Sequence, residues 1–357
     1  MAIYIRSNYM KSVVISSGGN ICIEEKTVPQ VTSVDDVLVK VCCSGLCGSD
    51  IPRIFHNGAH FYPIILGHEF SGIVQETGSS VRDLKQGDLV SCIPLKPCFN
   101  CPECERQLWS QCKNYQFIGS RCYGGNSEYT VVPRNNLFLL PEGITPTEGA
   151  FFEPVTVGLH AMNLAGGVEG KEVIIIGAGT IGLLAMQCAA ALGAKSVTAI
   201  DINPERLELA KKIGATYTYN SAEMSAEMIE KALNTRRFSQ LILETAGNSA
   251  AVQLAIHIAG PQAQIALVGT LHNDLKLPEK IFGFILRKEL RILGSWMNYS
   301  GEWPGKEWGL ATKLFLDGKI DLTSMIAVQG NIDTYVDAVK TLNGNPMNGK
   351  IMLDFTI

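Results

Sequence analysis

Two styles of hydrophobic patterning divide the chain. Between about residues 164 and 298, short apolar runs alternate with longer stretches of helical period. "EVIIIG" from Glu172, "SVTAID" from Ser196, "QLILET" from Gln240, "AQIALVG" from Ala263 and "RILGSW" from Arg291 read as buried strands. "NPERLELAKKIGA" and residues 249–259 read as helices between them, Pro204 suiting the first turn of one and Gly214 its end. Such alternation predicts a doubly wound parallel sheet with helices on both faces. Before this block, "VVIS", "DVLVKVCCSG", "SGIVQETG", "DLVSCIP" and "SEYTVVP" are short strands broken by Gly, Asp and Pro turns, the pattern of an all-β barrel. No internal repeat or low-complexity linker separates the two, and the tail after about residue 299 must pack back on one of them.

One segment imitates a membrane span: the 22 residues from Val173 to Ala194 carry no charge. Its β-branched start, its glycines and its small-residue second half fit a buried strand, a turn and a helix pressed on a sheet instead. At 357 residues, two domains are expected, and 46% hydrophobic with 18% charged residues describes a globular protein with much to bury. A net charge of −4 offers no general basic surface, which weighs against nucleic-acid binding.

The 11 cysteines and an N-terminus without a secretion signal point to a reduced, cytoplasmic chain. In that setting "CFNCPECERQLWSQC" reads as a metal loop: Cys98, Cys101, Cys104 and Cys112, at gaps of two, two and seven, supply four soft ligands for tetrahedral zinc. Four protein ligands leave no position for a substrate, so this site is expected to clasp a loop, and chemistry is sought elsewhere.

"IIIGAGTIG" offers a nucleotide site. Gly177 lets the chain turn at the strand end, Gly179 lets backbone approach a pyrophosphate, and Gly182 lets the new helix lie close on the sheet. The helix start at Thr180, Ile181 and Gly182 presents unpaired N–H groups to phosphate. Asp201 follows 19 residues after Gly182, at the end of the next strand, where a carboxylate accepts ribose hydroxyls and repels a 2′-phosphate. That favours NAD over NADP, although Asp201 could instead cap the next helix and Arg206 nearby could serve a 2′-phosphate.

A nicotinamide cofactor calls for a substrate carbon that exchanges hydride, and loss of the hydroxyl proton is eased by a Lewis acid. An open metal site is therefore expected. Cys47 in "GLCGSD", His68 and Glu69 in "LGHEFSG", and Glu153 in "FFEPVTVGLHAM" are its candidates. One thiolate, one imidazole and one carboxylate balance Zn2+ and leave a fourth position. Neighbours on a regular strand face opposite ways, so His68 and Glu69 meet one metal only if the chain turns there.

In this order, "GLCGSD", "GHEFSG", the cysteine loop, "EPVTVGLHA" and "IIIGAGTIGLLAMQCAAALGA" resemble the zinc-dependent medium-chain alcohol and polyol dehydrogenases over nearly all of the chain from Met10. The resemblance implies a GroES-like barrel domain (10–163 and 299–357), a Rossmann domain (164–298), one catalytic and one structural zinc, NAD, and a homodimer or homotetramer. Residues 1–9 are set aside as an extension or an expression remnant. It further implies Cys47 and His68 as catalytic ligands, with Glu153 preferred as the third and Glu69 as the alternative. Ser49 matches a proton-relay hydroxyl. Many relatives carry a histidine three residues later, where this chain has Pro52, which leaves His56, ribose or water to continue the relay. Trp296 and Asn298 in "GSWMNYS" match walls of a substrate cleft. The resemblance is strongest to members acting on a sugar-alcohol phosphate, for whose phosphate Arg53 and Arg121 are candidates. A sorbitol or threonine dehydrogenase of the same fold is the nearer alternative, and a nucleotide-sensing nucleic-acid module the farther one.

Overall fold

In the computed structural model, which describes residues 8–233, 239–271, 273–345 and 347–357, the chain divides into two units. One is Met1–Glu153 with Ile326–Ile357, and the other is Pro154–Met325.

The first unit is built on the strand Asp36–Gly45, which pairs antiparallel with Glu69–Thr77, Tyr129–Pro133 and Lys350–Asp354. Its nearly unbroken apolar sequence suits a strand covered on both faces, and Lys40 is its one exposed residue. Val37, Val39 and Val41 meet Phe70, Val74, Val90, Val132 and Leu137 in the core. Leu89–Cys92 and Leu137–Leu139 extend the sheet at one side, and Ile326–Gly330 lies parallel to Lys350–Asp354 at the other. Tyr9–Ser16 and Asn20–Thr27 form a separate hairpin. Tyr9 pairs with Thr27, and Val28 N–H donates to Asn8 O at 3.0 Å. Residues 8 and 9 thus belong to the fold, because their backbone is needed to complete that ladder; the rest of the expected extension, 1–7, lies outside the described residues.

The second unit holds a six-stranded, all-parallel sheet in the order Tyr217–Asn220, Ser196–Asp201, Glu172–Ile176, Gln240–Glu244, Gln264–Leu267, Arg291–Gly294. The chain starts at the central strand Glu172–Ile176 and winds outward both ways, which opens a crevice at the strands' carboxyl ends. Ile174, Ile176, Ile200, Ile242 and Ile265 pack against Val252 and Ile256 of the helix Ser249–Ile258. The uncharged stretch from Val173 splits into a strand and the helix Thr180–Ala191, and no helix among the described residues is long and apolar enough to cross a membrane.

The unit boundaries fall at 153/154 and 325/326, away from the expected 163/164 and 298/299. The cause is side-chain packing that periodicity does not display. Helix Lys306–Leu316 buries Trp308, Ala311, Leu314 and Phe315, and its Glu307 meets His160 Nδ1 of helix Phe152–Leu164 at 3.0 Å. Asp321 N–H donates to Gln187 Oε1 at 2.6 Å. Residues 299–325 therefore go with the parallel sheet.

Candidate metal and nucleotide sites

The cysteine loop holds its four sulfurs together by short-range geometry. Pro102 opens the four-residue helix Pro102–Glu105, which turns Cys104 back toward Cys98, and the 3-10 turn Trp109–Gln111 delivers Cys112. Cys98 Sγ lies 4.0 Å from Cys104 Sγ, and Cys101 Sγ lies 3.8 Å from Cys112 Sγ. A tetrahedron with metal–sulfur bonds of about 2.3 Å has edges of about 3.8 Å, whereas a disulfide needs about 2.05 Å. The four residues fit zinc. A hydrogen bond from the Asn100 backbone, helped by neighbouring thiols, brings the Cys98 thiol down to about 7, and burial pushes Cys104 up to about 12.

The second donor set gathers Cys47, His68 and Glu69, whose ligand atoms all lie within 4.8 Å of one another. Gly67, at φ +97°, turns the chain before His68, and the strand begins only at Glu69. The alternation that would have separated the two side chains does not yet apply. A Cβ on Gly67 would stand 2.3 Å from Asn126 Oδ1, so only glycine permits this approach. Burial first, then the charges of Glu69 and Asp50, push the Cys47 thiol up as a free thiol. A divalent cation reverses that effect. His68 is buried, its Nδ1 has no hydrogen-bond partner, and Asp50 Oδ1 stands 3.7 Å from it. A buried imidazole beside a thiol and two carboxylates is chemically matched to zinc with one open position.

Glu153, the preferred third ligand from sequence, is not within this group. It sits in the first turn of helix Phe152–Leu164, 8% exposed, near enough for its charge to raise the Cys47 thiol. Glu69 is the gathered carboxylate, and it is tied to a residue the sequence reading missed: Lys350, 2% exposed, whose Nζ donates to Glu69 Oε2. Gly45 makes room for this pair, since a Cβ there would lie 2.7 Å from both Glu69 Oε2 and Lys350 Cε. The available signal was a lysine inside the apolar strand "KIMLD". Asp50 was also missed, although it stands within "GSD" itself.

Ser49 is exposed, and its hydroxyl donates to Cys47 Sγ at 3.3 Å. Arg53 Nη1 donates to Ser49 Oγ at 2.9 Å. His56 is exposed at the end of helix Asp50–Phe55. Trp296 is 50% exposed, but Asn298 is wholly buried and its amide donates to Thr156 Oγ1 at 2.7 Å. That bond makes Asn298 a framework residue of its unit, a correction to its reading as a cleft wall.

In the second unit, Gly177 has φ +98°, and a Cβ on Gly182 would stand 1.9 Å from Gly177 O. Both glycines are demanded by the fold. Gly179, with an ordinary φ of −78°, caps the helix Thr180–Ala191, and a Cβ there would meet nothing within 4 Å. The bare space lies in front of the N–H groups of Thr180 and Ile181, where a pyrophosphate fits. Asp201 is 6% exposed; its Oδ2 accepts Ala178 N–H at 2.6 Å and its Oδ1 accepts Asn203 N–H at 2.8 Å. The helix Pro204–Lys212 is capped by Asn203 instead, so the alternative role for Asp201 as that cap falls away. Asp201, Arg206, Gly177 and Gly179 line one cavity of about 640 Å3.

The comparisons agree with this architecture. A family described as alcohol dehydrogenase GroES-like domain matches residues 33–142, and one described as zinc-binding dehydrogenase matches residues 180–313. The chain is 57% identical over 344 residues, 96% of its own length and 99% of the relative's, to galactitol 1-phosphate 5-dehydrogenase of Escherichia coli (strain K12). Among solved structures, galactitol-1-phosphate dehydrogenase from Escherichia coli superposes with a TM-score of 0.95, covering 97% of this chain and 100% of that one at 57% identity. A zinc-binding dehydrogenase from Sinorhizobium meliloti 1021 bound to NADP, 30% identical, has a TM-score of 0.85 over 98% and 100% of the two chains. The chain belongs to the zinc-binding dehydrogenase family, with a GroES-like domain, a Rossmann-type nucleotide domain, and Zn2+ and a nicotinamide as its cofactors. The nucleic-acid reading of the cysteine loop has no place in it.

Proposed function

We propose that the protein oxidises galactitol 1-phosphate to tagatose 6-phosphate, passing hydride to NAD and releasing one proton. The observation that carries this reading is the 57% identity over nearly the full length of both chains to a dehydrogenase of that substrate. In this reading Cys47 and His68 hold the catalytic zinc with a glutamate: Glu69 as the side chains stand, or Glu153 if its side chain turns toward the thiol. Zinc held there would supply a Lewis acid that lowers the pKa of the reacting hydroxyl, and a bound nicotinamide would supply the hydride acceptor. Asp50 faces the His68 ring, its Oδ1 3.7 Å from Nδ1. Lys350 offsets the buried charge of Glu69. Ser49 receives the hydroxyl proton; Arg53, a donor only, cannot accept it onward, so the proton leaves from exposed Ser49 to solvent. The four-cysteine set holds the structural zinc.

NAD rather than NADP is supported by Asp201, whose carboxylate stands in the nucleotide cavity and repels a 2′-phosphate. Arg206 Nη1, 3.8 Å from Asp201 Oδ2, is drawn toward the acid. A homo-oligomer is supported by the sheet edge at Arg291–Gly294, where Ile292 is 41% exposed, together with Phe282 and Leu286 at 51% and 65% on the helix Glu279–Arg287. Closely set free thiols support a reducing, cytoplasmic setting.

The test is NADH formation from galactitol 1-phosphate, galactitol, sorbitol and threonine. Activity confined to the phosphorylated polyol, lost with a chelator and restored by zinc, is expected. The same assay with Asp201→Ser should lower kcat/KM for NAD about tenfold or more and narrow its lead over NADP. Turnover of sorbitol or threonine alone would move the substrate.

A further inference from the structure

Two arginines are carried by different segments of the same unit that adjoin the Cys47–His68 set. Arg53 lies on helix Asp50–Phe55, and its Nη1 donates to Ser49 O, Ser49 Oγ and Asp50 Oδ1, each at 2.9 Å. These bonds fix one end of the guanidinium next to the relay hydroxyl. Its Nε and Nη2 make no hydrogen bond among the described residues, so a second edge of the fork remains available.

Arg121 comes from the turn Phe117–Cys122. That turn is closed by Arg121 N–H on Phe117 O at 2.8 Å, and the chain just after it is stitched to the approach to His68 by Gly125 N–H on Gly67 O at 2.8 Å. Phe117 lies edge-on to the His68 ring at 5.6 Å. The Arg121 guanidinium stacks over Tyr115 at 4.4 Å and donates to its hydroxyl at 3.2 Å, and no carboxylate pairs with it among the described residues. His60 feels both cations: partial burial first, then the charges of Arg121 and Arg53, hold its imidazole below its usual range. Asp50 already pairs with Arg53 at 2.9 Å, so of the two cations that reach His60 it is Arg121 that has no acid beside it among the described residues and is free to meet an anion.

We propose that Arg53 and Arg121 together bind the phosphate of the substrate, each offering a planar pair of N–H donors, and so select a polyol phosphate over the free polyol. This rests on the sugar-alcohol phosphate reading above. Stacking on Tyr115 and bonding to Ser49 hold the two forks in place before the ligand arrives, which reduces the ordering cost of binding.

The test compares wild type with Arg121→Gln on galactitol 1-phosphate and on galactitol, and titrates inorganic phosphate into enzyme saturated with NADH so that the nucleotide loop is filled. For Arg121→Gln, KM for galactitol 1-phosphate should rise about 10- to 100-fold with kcat nearly unchanged. Galactitol should stay without turnover in wild type and variant alike, and inorganic phosphate binding should be lost. Arg121→Lys should recover part of the loss, and it carries the comparison if Arg121→Gln does not fold. Wild-type turnover of galactitol 1-phosphate with no change of KM or phosphate binding in either variant would overturn the phosphate site and leave the function standing. If wild type ignores galactitol 1-phosphate while Arg121→Gln still abolishes phosphate binding, the anion site stands and the substrate assignment falls.

Discussion

Glu307 shows how much a single buried charge is worth in this fold. It is wholly buried; burial would raise its carboxyl, but hydrogen bonds from His160 and Ser300 prevail and bring it down to about 2 from the usual 4.5. Because the folded value lies below the unfolded one, this group's stabilisation is present in full above the unfolded value and is lost as pH falls toward about 2. Replacing Glu307 by Ala should therefore cost about 3 kcal/mol near neutral pH by leaving His160 and Ser300 unpaired. In urea denaturation the gap between variant and wild type should shrink as pH is lowered through the carboxylate range. A gap that stayed constant would assign the loss to packing. Neither this pair nor Lys350–Glu69 was legible in the chain. His160 and Glu307 are separated by 147 residues and Glu69 and Lys350 by 281, and no local pattern marks such partners.

At the scale of elements, the cysteine loop and the glycine loop were both readable, since each completes its geometry within about fifteen residues of chain. The cysteine loop is a closed donor set, and the Cys47 set an open one. Cys98→Ser should remove about one zinc per chain and lower the thermal midpoint, while Cys47→Ser should leave a folded protein that binds NADH and turns nothing over; metal content and melting curves distinguish them. A stable Cys98→Ser protein that lost only turnover would reverse the two roles. The candidate Cys47 set was half legible. Its residue types and order were visible, but the choice between Glu69 and Glu153 depends on a turn at Gly67 and on a lysine from the last strand. Helices Ala226–Leu233, Glu279–Arg287 and Lys306–Leu316 and the strand Tyr217–Asn220 of the parallel-sheet unit went unread, the strand because "YTYN" lacks the apolar run of its buried neighbours.

For the molecule as a whole, the division at 153/154 and 325/326 makes a prediction of its own. A fragment of residues 154–325 should unfold cooperatively and bind NADH, whereas 164–298 should not, because it lacks His160, the helix Lys306–Leu316 and the Gln187–Asp321 contact. Calorimetry and NADH fluorescence on the two fragments check this, and equal behaviour would refute it. By itself the sequence determined the alternation of strands and helices, the glycine turn and the spacing of the four cysteines, since these depend on neighbours along the chain. Tertiary structure alone decided which distant polar and charged groups meet: Lys350 on Glu69, Glu307 on His160, Asp50 facing His68, and Asn298 turned inward to Thr156. The physical reason is that burying a charge or amide demands a partner, and the partner is supplied by whatever element the packed fold brings alongside.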